Sequence, residues 1–159
     1  MKRKSAFMLA LVLISVLAVT AVVFAADNHV GTWKLNLAKS KYSPGPAPKS
    51  QTLKIEAWGD DGLKYAADGV GADGKPTHAE FQAKYDGKDY AFKGNPDADM
   101  LAYKRIDANN LEATTKLKGK VTLRAKVVVS ADGKTRTVTQ MGTNAQGQAV
   151  NITSVYEKQ

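Results

Sequence analysis

The sequence predicts an all-β domain, a single antiparallel up-and-down β-barrel of about 8–10 strands, and three observations lead there. Period-two alternation of apolar and polar residues runs through the chain after Ala26, with helical periodicity almost absent. The alternating segments are separated by short connections rich in Asp, Asn and Gly, too short for parallel crossovers, which need about a dozen residues or more. A long meander of sequential hairpins leaves two exposed edges unless it closes on itself, so closure is expected.

The first residues stand outside this pattern. Lys2, Arg3 and Lys4 precede an apolar run from Ala6 to Phe24 that ends in Val23-Phe24-Ala25-Ala26. Small residues at minus three and minus one place a signal-peptidase cut after Ala25, making residues 1–25 a signal peptide and residues 26–159 the barrel domain. The expected location is secreted or periplasmic. Removing the leader takes three of the 23 basic residues, so 20 face 15 acidic ones and the net charge falls from +8 to +5. Much of the apparent basicity therefore belongs to the leader. The chain has no cysteine, which excludes disulfides, thiolate metal sites and cysteine catalysis.

Ten strands are expected in order. The first covers Val30–Asn36 and is followed by the loop Ser43-Pro44-Gly45-Pro46-Ala47-Pro48, which suits neither helix nor central strand. The others lie near Gln51–Trp58, Leu63–Asp68, Thr77–Tyr85, Lys88–Lys93, Met100–Ile106, Leu111–Lys118, Val121–Ser130, Thr135–Met141 and Gln148–Glu157. Asp61-Gly62, Asp73-Gly74, Asp86-Gly87 and Asp132-Gly133 are read as tips, since Asp and Gly tolerate tight-turn geometry.

Alternation also assigns faces. Leu53, Ile55 and Ala57 share one parity; so do Thr77, Ala79, Phe81, Ala83 and Tyr85, and Val121, Leu123, Ala125, Val127 and Val129. These sets must point inward, because a one-residue slip would bury every charge on the strand. Ala57, Ala67, Ala79, Ala83, Ala113 and Ala125 are expected inside, where small residues either fit the taper of a filled barrel or leave a cavity. The choice stays open at this point.

Gly31-Thr32-Trp33-Lys34-Leu35 on the first strand and Val155-Tyr156-Glu157 at the end of the last resemble the calycins, the lipocalins and, more closely, the fatty-acid-binding proteins. The stretch Gly31–Tyr42 is also similar to secreted bacterial proteins of unassigned function. The resemblance implies that Trp33 plugs one barrel end, with Arg105 or Arg136 as the cation over its ring. Two departures stand out. The proline-rich loop replaces the helical lid of fatty-acid-binding proteins, and Ser154 stands where they carry an Arg two residues before the final-strand Tyr. A neutral or weakly polar ligand is therefore expected over a fatty acid.

Tyr65, Phe81, Tyr85, Tyr90, Phe92, Tyr103 and Tyr156 form the candidate ligand-binding set, as inward aromatics with polar handles. The basic segment Lys116, Lys118, Lys120, Arg124 and Lys126 lacks the interleaved aromatics of single-strand binders and reads as a solvated face. Asn95-Pro96-Asp97-Ala98-Asp99 reads as a turn rather than a calcium loop. His29 and His78 have no ligand-spaced partners and are expected at the surface, so no metal, cofactor or catalytic residue is assigned. The expected function is a non-enzymatic, monomeric barrel that holds a small apolar ligand, with no nucleic-acid partner and no membrane attachment after leader removal. A filled barrel serving as a structural or interaction module of the envelope is the alternative. N-terminal sequencing of the exported protein is expected to begin at Ala26; retention of Met1 would make residues 1–25 an anchor.

Overall fold

The computed structural model describes residues 27–159, so the leader and its cleavage position lie outside the described residues. Eleven strands are present: β1 (Gly31–Leu35), β2 (Lys41–Ser43), β3 (Ser50–Ala57), β4 (Gly62–Val70), β5 (Pro76–Lys84), β6 (Asp86–Lys93), β7 (Met100–Arg105), β8 (Asn110–Leu117), β9 (Lys120–Val129), β10 (Thr135–Thr143) and β11 (Ala149–Lys158). β1 pairs with β3, β3 to β11 follow in chain order, and β11 pairs back onto β1. Ten strands thus make a closed antiparallel wall, and the ten expected strands all appear within two residues of their expected limits.

The eleventh strand is the short β2, which continues along β11 at Asn151–Thr153 beyond the end of β1. Between β1 and β2 the chain makes one 3₁₀ turn, Leu37–Lys39, capped by the Asn36 side chain. Three residues carry too little alternation to be read from sequence, and β2 forms because β11 offers it an edge. The Asp-Gly-Lys recurrences share one device. Asp73, Asp86 and Asp132 each accept a hydrogen bond from the backbone N–H of the Lys two residues on, at 3.0 Å. Asp86-Gly87 nevertheless is no hairpin tip. The chain turns at Tyr85, and Asp86 already pairs with Lys104 of β7 through an irregular stretch that ends at Asp89.

Packing differs between the two ends of the barrel. Trp33, Ile55, Leu63, Leu111 and Val129 are completely buried, and all come from the strand ends at one pole. Lys158 stands over the Trp33 ring, its Nζ 5.1 Å from the centroid, so the cation there is neither Arg105 nor Arg136. Only glycine serves at Gly31: its φ is 140°, and a Cβ there would lie 2.7 Å from Lys158 Cε. Toward the other pole, the inward positions are small. Ala67 faces Ala79 across β4–β5, and Ala113 faces Ala125 across β8–β9.

Three face assignments need correction. Thr77 is exposed, because it stands at the start of β5 on the rim. Ala57 is exposed, because it precedes the β3–β4 turn at the barrel rim. Val121 is 46% exposed, since the β8–β9 register shifts between Thr114 and Lys116 and takes the start of β9 off the inward parity. Trp58 is half-buried on the outer wall, edge-on to Tyr90 with ring centroids 6.4 Å apart. Trp33→Ala should therefore cost about 3–5 kcal/mol in urea unfolding and Trp58→Ala less than half of that. Equal costs would contradict this distribution of burial.

Candidate functional site

The hollow half of the barrel encloses a cavity of about 250 Å³. Its walls are Leu53, Tyr65, Phe81, Phe92, Leu101, Tyr103, Val127 and Tyr156, with the four facing alanines supplying the space. Tyr65 stacks on Phe81 at 4.5 Å, and Phe92 meets Phe81 edge-on at 5.2 Å. Five of the seven expected aromatics thus converge on one space: Tyr65, Phe81, Phe92, Tyr103 and Tyr156.

The other two do not. Tyr85 is buried at the closed pole, where its hydroxyl donates to Asp27 Oδ2 at 2.7 Å and Arg105 lies 3.9 Å over its ring. Tyr90 sits on the outer wall and donates to Asp86 Oδ2 at 3.0 Å. Tyr85 keeps its inward parity but stands beyond the cavity at the closed pole, and Tyr90, in register opposite Leu101, meets Trp58 and not the cavity.

Arg136 is the polar centre of the cavity. It is 1% exposed and lines the cavity from β10. No carboxylate among the described residues lies within 4 Å of it. Its Nη1 meets His29 Nδ1 at 2.9 Å, while its Nε is buried without a partner. Tyr65, Tyr103 and Tyr156 surround it; burial pushes all three phenols up, so they remain hydroxyl donors. Tyr156 donates to Gln51 Oε1 at 2.6 Å, and Tyr42 and Ser154 share a 3.1 Å hydrogen bond nearer the mouth.

His29 is the residue that sequence reasoning misplaced. It is completely buried, not at the surface, because the segment before β1 folds under the barrel as a plug. Its carbonyl accepts from Trp33 Nε1 at 3.1 Å, and the adjacent Asp27 accepts from Tyr85 and from Arg105 Nη2 at 2.8 Å. Burial pushes Asp27 up, but hydrogen bonds from Tyr85, the His29 backbone and Arg105 outweigh it and hold the carboxyl below its usual range. Burial first, and then the Arg136 charge, lower His29 to about 4. At neutral pH its imidazole is therefore uncharged and Nδ1 accepts from Arg136. A histidine four residues before the first-strand Trp was the only sequence signal available, and without the plug it means nothing.

Outside the cavity the polar residues are ordinary. His78 is exposed and bonds Asp68 at 2.7 Å, Lys116 pairs with Asp89, and Asn95 caps a turn through the Asp97 N–H. No group of three His, Asp or Glu among the described residues could hold a metal ion.

The neutral state of His29 makes a pH signature. Its folded value lies below the unfolded 6.5, so its contribution is complete above pH 6.5 and is lost as pH falls toward 4. Between pH 7 and pH 4.5, wild type should lose about 2–3 kcal/mol more than His29→Asn, read from urea midpoints at the two pH values. Identical losses would mean that His29 is not held neutral.

No protein-family model and no curated protein matches the sequence. Solved structures do. The fluorescent protein UnaG is similar with a TM-score of 0.56 and 18% identity, over 85% of this chain and 100% of that one. A redesigned β-barrel and the zebrafish ileal bile acid-binding protein complexed with cholic acid each reach 0.49 and 13% identity. Each spans 83% of this chain, and they are covered over 92% and 99% of their own length. The likeness is one of fold, and that fold is a closed, ten-stranded antiparallel barrel.

Proposed function

We propose that this protein is an exported binding protein that holds a small hydrophobic molecule with an anionic head group inside its barrel. The observation that carries the reading is Arg136, a cation buried in an apolar cavity with no carboxylate beside it. Burying an unpaired charge costs several kcal/mol, a cost offset when a counter-charge arrives. A carboxylate set between Arg136 and the hydroxyls of Tyr65 and Tyr103 would supply that charge, and the Phe81, Phe92 and Leu101 side chains would take the hydrocarbon.

This replaces the neutral ligand expected from Ser154. The position before the final-strand Tyr holds no cation, but the neighbouring strand β10 brings one to the same cavity at Arg136, opposite Tyr156. About 250 Å³ lies just below the usual range for small-molecule sites, about 300–1,000 Å³. A short-chain or single-ring amphiphile fits better than a long-chain lipid. Binding, rather than catalysis, suits a lining without His, Asp, Glu or Lys, since no side chain there titrates near neutrality as a general acid or base.

Decanoate and 1-decanol separate the head group from the chain. By isothermal calorimetry at pH 7, decanoate should bind about tenfold or more tighter than the alcohol, as charge-assisted hydrogen bonds contribute about 1.5–3 kcal/mol. Arg136→Met should erase the difference while leaving the alcohol's affinity within about threefold, because the hydrocarbon contacts remain. Equal binding of acid and alcohol by wild type would overturn the anionic assignment, and binding of neither would overturn the carrier.

A further inference from the structure

We infer that the ligand carries a second, uncharged polar group at the end of its chain remote from the acid, received by side-chain amides at the open end of the cavity. The inference rests on the internal-binding reading above and deepens it by naming the class of amphiphile, a medium-chain acid with a terminal hydroxyl or an equivalent acceptor.

The cavity lining is ordered along the barrel. On β10 the inward side chains Arg136, Val138 and Gln140 all line the cavity. Arg136 stands toward the closed pole, paired with Val129 of β9, which is completely buried there. Gln140 lies four residues on, paired with Ile152 of β11, which in turn faces Tyr42 of β2 beyond the end of β1. One strand therefore carries a cation at the inner end, an apolar side chain in the middle and an amide at the open end. β3 repeats the apolar-to-amide order, with Leu53 paired to Trp33 and Gln51 two residues farther toward the opening. Asn95, in the turn after β6, adds a third amide to the lining.

The polar groups at this end are not equivalent. The hydroxyls satisfy one another: Tyr42 bonds Ser154 at 3.1 Å, and Thr115 bonds Thr122 at 2.9 Å. The amides keep free donors. Gln51 Oε1 accepts from Tyr156, and Asn95 Oδ1 accepts from the Asp97 N–H at 2.8 Å, so neither NH2 group has a partner among the described residues, and the Gln140 amide has none at all. All three residues are half-buried. A hydrocarbon terminus reaching them would strip water from these donors and return nothing, whereas a hydroxyl or carbonyl oxygen would accept from them. A second carboxylate would find no cation there, because Arg136 is the one charged residue of the lining. Spacing sets the length: four residues of strand advance about 13 Å, an interval that an extended chain of roughly ten carbons spans.

Decanoate, 10-hydroxydecanoate, 1-decanol and 1,10-decanediol separate the two ends of the site by calorimetry at pH 7. The hydroxy acid should bind about fivefold tighter than decanoate, although its added hydroxyl makes it the more soluble of the two in water. The diol should likewise exceed the alcohol, so the contrast is read whichever head group the inner end prefers. Gln140→Leu should bring the preference within the acid pair below about twofold, and Arg136→Met should preserve it. Decanedioate should bind no tighter than decanoate; binding tighter than that of the hydroxy acid would overturn the uncharged assignment. Equal or weaker binding of the hydroxy acid, or a preference unchanged by Gln140→Leu, would overturn the inference and leave the anionic carrier standing. Equal binding of acids and alcohols with the hydroxyl preference intact counts against the carboxylate and supports the amide end, and binding of none of the four would overturn both.

Discussion

The interior of this protein exists because β11 pairs back onto β1. The contact is short, with Trp33, Lys34 and Leu35 facing Lys158, Glu157 and Tyr156, yet it removes both edges of the meander. It also places Trp33 under the barrel, where Lys158 covers its outer face and Leu53 of β3 flanks it. Closure has a second consequence. With the wall closed, β10 and β11 set Arg136 opposite Tyr156, and the side chain lines the cavity almost completely buried. An isolated hairpin of the same sequence would leave that charge in solvent.

The two poles then diverge in character. Large apolar side chains crowd the end that holds Trp33, and the Asp27–His29 segment seals it with hydrogen bonds to Trp33, Tyr85, Arg105 and Arg136. Toward the other pole, facing alanine pairs on two walls leave the volume that the aromatics line. Stability and binding thus occupy different halves of one barrel. His29 joins the halves, because the imidazole that plugs the base also orients the cation of the cavity. Its uncharged state is what lets it sit beside Arg136.

Most of the wall was legible in the sequence. Strand positions follow from alternation, and the inward faces of Leu53, Ile55, Phe81, Tyr103 and Val127 follow from parity, because a period of two is a local property of the chain. Legibility ends where the face of a strand does not decide how far along the barrel a side chain lies. Tyr85 is buried inward as its parity requires, but at the closed pole, and Tyr90, two residues before the cavity-lining Phe92, meets Trp58 instead. Val121 fails for a different reason, the β8–β9 register shift.

Alternation and turn chemistry by themselves determined the all-β class and the antiparallel order, since each rests on neighbours within a strand or a turn, while the plug at Trp33 was implied by the resemblance carried by Gly31-Thr32-Trp33. The tertiary structure decided whether the barrel is hollow, because cavity volume depends on which alanine faces which across the wall. It also decided that Arg136 is the cation of the cavity and that His29 is buried beside it, 107 positions earlier in the chain. No local pattern records a contact over that separation; it exists only once the sheet has closed.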